Sequence, residues 1–256
     1  MKISIVTVTF NSEKTISHTI NSVLSQTYPD IEYIIVDGNS TDNTVALLKS
    51  YESLFKGRMH WISEDDSGIY DAMNKGIKIA SGEYIGILNS DDFFTSPYVI
   101  SNLACLLQEQ TYDAIYGDVH FVNDKNLSKT VRYYSSSFFK RYLMRIGLMP
   151  AHPSFYVKSS IFKRFGYYKV NYKIAADFEF MLRTIYKGRI KIKYLPQDMV
   201  TMRLGGVSTS GIAARRLIMR EHLRAFKENG IYTNVFLLSL RYIYKIYEVF
   251  TSPLRK

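Results

Sequence analysis

The chain has 256 residues, 46% hydrophobic and 22% charged, which excludes a disordered polypeptide and suffices for a large core in one or two domains. Its formal net charge of +10 is unevenly divided: residues 1–125 hold 8 basic and 17 acidic side chains, residues 126–256 hold 25 and 6. The basic half is therefore expected to meet an anionic partner. The single cysteine, Cys105, excludes an internal disulfide, and no Cys/His cluster suggests zinc, so a reducing compartment fits.

In chain order, 3–9 reads as a buried strand, 13–24 as a helix with Ile16, Thr19, Ile20 and Val23 on one face, and 31–36 as a second apolar strand. The strand starting at Ile3 leaves no room for a signal peptide. The loop Asp37-Gly38-Asn39-Ser40-Thr41-Asp42 can cap a helix over 43–54. A short strand at 60–62 precedes a helix at 67–80, and a strand at 84–88 ends in Asn89-Ser90-Asp91-Asp92. Apolar strands alternating with amphipathic helices predict an α/β fold, with a mostly parallel sheet covered on both faces. Ligands of such sheets bind beyond the strands' carboxyl ends, so the two acidic loops should converge on one crevice.

The second half is less regular. Strands are expected at 114–122, 154–157 and 190–194, the last ending at Pro196, and a helix at 177–186. A basic, aromatic stretch fills 132–145, and 204–211 is a Gly/Ser loop. A basic helix over 212–229 stops at Gly230, and an aromatic-aliphatic helix covers 232–250. The longest uncharged run of this tail, 229–240, is too short to span a bilayer. With no repeat or linker, the expected organisation is a catalytic domain over 1–211 and a helical tail over 212–256.

Several residues suit chemistry. Asp91 and Asp92, adjacent at a strand end, fit a hard divalent cation such as Mg²⁺ or Mn²⁺, although Ser-Asp-Asp also suits a helix N-cap. Asp37 can accept hydrogen bonds from a ribose or base, or simply form a turn. No G-x-G-x-x-G or P-loop is present. Asp177 opens a helix whose Phe178, Met181, Leu182 and Ile185 face the core. The helix dipole would keep it ionised, as a general base or as a cap. Glu179, four residues before Arg183, has the spacing of a surface pair and is read as structural. His152, between prolines, suits an acceptor or phosphate contact or a structural place. Arg203 with Gly205 and Gly206 forms a basic segment able to close over a diphosphate, or an ordinary surface turn. In the tail, Arg241, Lys245 and Glu248 make one polar stripe. That pattern suits a helix lying at an anionic membrane surface, or one packed on the domain or a partner.

Four segments occur in order at suitable spacing: ISIVTVTFN (3–11), VDGNSTDNT (36–44), EDDSGIYDAMNKGIKIASGEYIGILNSDD (64–92) and ADFEFMLR (176–183). Over roughly residues 1–210 the chain resembles the inverting glycosyltransferases of family 2, notably bacterial enzymes that build exopolysaccharide or O-antigen units. The resemblance implies a GT-A fold, Mn²⁺ or Mg²⁺, and a nucleotide-diphosphate sugar donor, with uridine the first choice of base. It matches Asp37 to the nucleoside contact, Thr9 and Asn11 to the nucleotide pocket, Asp91 to the metal ligand and Asp177 to the general base. Asn39, Ser90 and Arg203 join the donor side, and Asp92, His152 and Glu179 the acceptor side or its support. The sequence departs at Asn89, where the family has Asp, at Ala176, where it has Glu, and at Met73, where Arg is common and Lys75 can supply the charge.

The implied acceptor is a glycan or a lipid-diphosphate-linked sugar, handled in the cytoplasm at the inner face of the membrane, and no nucleic-acid partner is expected. The rival readings are a sugar nucleotidyltransferase, which lacks its Gly-rich loop here, and an RNA- or polyanion-binding protein, which leaves the acidic loops without a purpose.

Overall fold

A computed structural model of the chain describes residues 1–205 and 211–243. Regular βα units open it: β1 (Ile3–Thr9), α1 (Ile16–Leu24), β2 (Ile31–Asp37), α2 (Thr44–Glu52), β3 (Met59–Ser63), α3 (Ile69–Ile79) and β4 (Tyr84–Ile87). Then follow β5 (Phe93–Phe94), α4 (Val99–Glu109), β6 (Ala114–Asn123), β7 (Asn126–Tyr134), β8 (Tyr156–Lys158), α5 (Ser159–Phe165) and α6 (Ala176–Met181). The last elements are β9 (Ile192–Arg203), α7 (Gly211–Glu228) and α8 (Val235–Ser239).

The nine strands form one sheet in the order β3-β2-β1-β4-β8-β6-β9-β5, with β7 paired to β6. The pairs β3-β2-β1-β4 and β6-β9 are parallel, whereas β8, β5 and β7 run antiparallel to their neighbours. Every residue of β1 and β2 is buried, because helices cover both faces. Alternate residues feed two cores. Val6, Val8 and Ile34 join Ile77, Phe178 and Phe226 on one face, while Ile3, Ile5 and Tyr33 join Ile20, Leu48 and Leu103 on the other. Helix α3 lies so close to the sheet that a Cβ on Gly76 would come within 2.4 Å of Val6 Cγ1. After β3 the chain returns to place β4 on the far side of β1, so the strand order reverses between β1 and β4, where this architecture binds ligands.

Four expectations are corrected. The final strand does not end at Pro196 but runs on to Arg203. Its register against β6 shifts between Tyr116 and Asp118, so Pro196 falls in a bulge, where a missing N–H breaks no ladder bond. Gly117 sits opposite, and a Cβ there would lie 2.8 Å from the Gln197 carbonyl. The helix at Ala176 changes to π pitch over Leu182–Lys187. The last tail helix starts later and is interrupted: α8 begins at Val235 and ends at Ser239, residues 241–243 are helical after a turn at Leu240, and 244–256, with Lys245 and Glu248, lie outside the described residues. Arg241 is not part of a solvent-facing stripe but buried, donating to His222 Nδ1 at 2.7 Å.

The tail packs on the sheet-bearing body. Ala225 and Phe226 of α7 and Leu238 of α8 enter the same core as α3 and α6. Each such large side chain contributes about 1.5–3 kcal/mol of burial. Among the described residues no helix is long and apolar enough to cross a membrane.

Candidate active site

A polar crevice, the expected nucleotide site, is built by the loops after β1, β2 and β4. Register places Thr9 beside Asp37 and Asp37 beside Ser63. The Asp37 carboxylate is buried and accepts from Ser40 N at 3.0 Å, Ser40 Oγ at 2.5 Å and Ser63 Oγ at 2.6 Å. Ser40 Oγ in turn accepts from Asn11 N at 2.8 Å, and Asn11 Oδ1 accepts from Thr41 N at 2.9 Å. Asn11 and Asn39 both take left-handed backbone, with φ of 48° and 64°, a region asparagine tolerates. Asn39 Nδ2 donates to Asp65 at 3.0 Å, and Ser90 Oγ lies 2.9 Å from Ser12 Oγ. Lys75 pairs with Glu64 at 2.9 Å and donates to the Asp65 carbonyl, so its charge is committed to the acidic loop at 64–66.

Two polar atoms at this crevice have no protein partner among the described residues. Thr9 Oγ1 and Asn89 Oδ1 are buried, at the ends of the paired strands β1 and β4, and make no hydrogen bond. A buried polar atom left unpaired costs roughly 1–3 kcal/mol, which a bound polar ligand would recover.

The two adjacent aspartates differ. Asp92 is buried and braces the loop, accepting from Asn89 Nδ2 at 3.1 Å and Arg203 N at 3.3 Å. Burial, then the neighbouring Asp91 charge, raises its carboxyl well above the ordinary value. Asp91 is half-buried, and burial raises its carboxyl too, with the Arg203 charge opposing. Arg203 is not in the loop that follows; it ends β9 and is buried. Its guanidinium bonds the Asp91 carbonyl, Asp124 Oδ1 and His18 Nδ1, each at 2.9 Å, and lies over Phe93. It therefore clamps the loop that carries Asp91. No group of three His, Cys, Asp or Glu side chains suited to a metal occurs among the described residues. The donor set nevertheless fits Mg²⁺ or Mn²⁺: the Asp91 carboxylate and the unpaired Asn89 oxygen are hard ligands, and these ions complete their shell with phosphate and water.

A cavity of about 810 Å³ has none of these crevice residues in its lining. Asp177 and His152 both line it. Asp177 accepts from Phe178 N at 2.8 Å, and the Tyr70 hydroxyl lies 3.4 Å from its Oδ1. Tyr70 also donates to the Ile174 carbonyl at 2.5 Å. Burial raises the Asp177 carboxyl above its ordinary value; His152 and the Phe178 N–H oppose that shift. His152 is itself buried, which lowers its proton affinity, and its Nε2 lies 3.1 Å from the Tyr168 hydroxyl. Tyr168 is held by Asn74 through bonds of 2.8 and 3.0 Å.

Glu179 does not line this cavity and is not a surface residue. It is fully buried, pairing with Lys169 at 3.1 Å and Arg183 at 3.0 Å, and accepts from Asn229. Residues with no distinguishing sequence signal complete the site. Glu221 of α7 accepts from the N–H groups of Lys173, Ile174 and Ala175, and His222 stacks on Phe178 with centroids 3.8 Å apart.

The sheet, with its switch point between β1 and β4, has the fold of GT-A glycosyltransferases of known structure. The chain belongs to the family described as Glycosyl transferase family 2, whose pattern matches residues 4–170. It is 35% identical over 184 residues to an uncharacterized glycosyltransferase of Mycobacterium tuberculosis, covering 71% of this chain and 68% of that protein. It is 26% identical over 209 residues to a PGL/p-HBAD biosynthesis glycosyltransferase of Mycobacterium bovis, covering 81% and 79%. Among solved structures it resembles S. aureus TarS in complex with UDP-GlcNAc, with a TM-score of 0.69, 20% identity and coverage of 88% of this chain and 66% of TarS 1-349. It also resembles the mannosyltransferase PcManGT of Pyrobaculum calidifontis in complex with GDP-Man and Mn²⁺, with a TM-score of 0.65, 17% identity and coverage of 89% and 63%. The chain thus spans less than two thirds of those structures' length.

Proposed function

We propose that the chain transfers a sugar from a nucleotide-diphosphate sugar to an acceptor hydroxyl, by a single displacement with inversion at the anomeric carbon. The observation that carries this reading is Asp177, a carboxylate of raised proton affinity that lines the 810 Å³ cavity together with His152. Asp177 takes the proton of the acceptor hydroxyl as that oxygen attacks the anomeric carbon and the bond to the diphosphate breaks. Tyr70, through the Ile174 carbonyl, holds the turn that presents Asp177. Thr9, Asn11, Asp37 and Asn39 seat the nucleoside, while Ser90 and Arg203 shape the diphosphate side. A divalent ion on Asp91 would neutralise the leaving diphosphate as a Lewis acid.

Uridine is the proposed base, supported by the likeness to a fold that holds UDP-GlcNAc. The acceptor is a glycan or lipid-diphosphate-linked sugar in the synthesis of a bacterial surface polysaccharide or glycolipid, a class supported by the PGL/p-HBAD relative. Residues 1–211 carry the donor side and the base. Residues 212–256 complete the acceptor side and meet an anionic membrane at its cytoplasmic face. Exposed Tyr232, Val235 and Phe236, next to the arginine-rich α7, support that contact. The test is to incubate the protein with a panel of nucleotide sugars, with and without Mn²⁺, and follow donor consumption and product anomer by NMR. Mn²⁺-dependent consumption of one donor with inverted product is expected; no consumption of any donor, or retained configuration, would overturn the reading.

A further inference from the structure

The cavity that Asp177 lines carries three arginines. Arg132, Arg215 and Arg241 line it together with His222, and Asp177 is the only acid among its described lining residues. The nucleotide-crevice residues Thr9, Asp37 and Asp91 are not part of it.

Arg241 is the informative member. It is 4% exposed, yet pairs with no carboxylate among the described residues, and its Nε is buried without a hydrogen-bond partner. Among the described residues its NH1 bonds the His222 ring nitrogen, which brings no negative charge. A buried guanidinium without a counter-charge is costly, and such groups are normally paired. Phosphate, like carboxylate, is an anion whose oxygens a guanidinium matches with two parallel bonds. Arg215, exposed on α7, adds a second cation at the same cavity.

A second, apolar cavity of about 690 Å³ adjoins the first and shares Tyr134 and Leu148 with it. Its wall includes Phe139, Leu143, Ile146 and Leu240. Cationic and apolar space thus lie side by side.

We propose that the acceptor bears a phosphate or diphosphate ester, and that Arg241 and Arg215 form the subsite that binds it while its hydroxyl faces Asp177. This subsite rests on the reading of Asp177 as base and is separate from the donor's diphosphate site. The chemistry recognised is the phosphate ester, free or carried on a lipid chain seated in the apolar cavity.

The experiment measures binding of inorganic diphosphate and of farnesyl diphosphate by titration calorimetry, with the nucleotide crevice saturated by UDP and Mn²⁺. Unmodified protein should bind both. Arg215→Gln, an exposed position that leaves the core intact, should weaken each by about tenfold, the loss expected for one charge-assisted contact. Arg241→Gln should weaken them at least as much, and its thermal unfolding is recorded to show that it is folded. Tighter binding of farnesyl diphosphate assigns the ester to a lipid; equal binding assigns it to a water-soluble acceptor. No diphosphate binding beyond the UDP-saturated crevice, or binding unaltered in Arg215→Gln, overturns the proposal. Failure of sugar transfer itself would show differently, as absence of donor turnover in unmodified protein.

Discussion

The Glu221 carboxylate of α7 accepts the backbone N–H of Ala175 at 2.9 Å, two residues before Asp177. The same carboxylate takes the N–H groups of Lys173 at 2.7 Å and Ile174 at 3.0 Å. A tail helix therefore fixes the turn that presents the proposed base. Glu221→Ala should lower kcat by about 100-fold, the scale of a small misplacement of a reacting group, with little change in donor KM. Glu221→Gln, which keeps an acceptor oxygen, should recover part of the loss. Steady-state kinetics on both variants check this, and unchanged kcat in Glu221→Ala would reduce Glu221 to scaffolding.

The pH dependence follows from the direction of the Asp177 shift. Burial raises its carboxyl above the ordinary value. A general base works only when ionised, so kcat should fall as pH drops through this raised pKa and be fully present above it. The acid limb should therefore lie above about 3.9, the value of an unperturbed aspartate. A pH–rate profile with its limb at or below the unperturbed value would contradict the assignment.

Arg203 clamps the Asp91 loop with three differently aimed bonds, which a lysine cannot reproduce. Arg203→Lys should raise the Mn²⁺ concentration needed for half-maximal rate by roughly tenfold or more, the range seen when support of a metal ligand is lost. Titrating the rate with Mn²⁺ measures it; an unchanged midpoint would separate Arg203 from the metal site.

Glu179 has a different role from its neighbour two residues earlier. It is fully buried between Lys169 and Arg183, so Glu179→Ala removes the carboxylate that pairs with the half-buried Arg183, while Lys169 keeps Glu228 at 2.7 Å. The expected cost is about 3 kcal/mol of stability, read as a lower Tm and denaturant midpoint. A Tm equal to that of the unmodified protein would show the pairs to be dispensable.

Because Phe226 and Leu238 are core residues, a chain ending at residue 210 should not fold to an active enzyme, whereas one ending at residue 243 should. The second truncation is the suitable one for testing vesicle binding by the last residues. Full activity of the 1–210 chain would show that the tail is independent of the catalytic unit.

The first half of the fold was legible because it is regular. β1 begins and ends at the residues expected from its apolar run, and the helix after it exposes and buries the faces that its spacing predicts. The loops bearing Asp37 and Asp91 follow from strand ends alone. The second half was less legible for physical reasons. Pro196 reads as a strand stop unless the bulge opposite Gly117 is known. β7 is mostly exposed, so it carries little apolar alternation, whereas α4 does show helical spacing at Val99, Ile100, Leu103 and Leu107 and was detectable. Glu221 and Arg241 act through contacts 46 and 19 residues away, and no local pattern distinguishes them from surface charges.

The central claim is that Asp177 removes the acceptor proton. The most direct measurement compares single-turnover sugar transfer by Asp177→Asn and by the unmodified protein, with donor affinity determined on both. Transfer slowed by about 10²–10⁴-fold with donor affinity retained is the expected result. Transfer at the unmodified rate by a folded Asp177→Asn protein would contradict it.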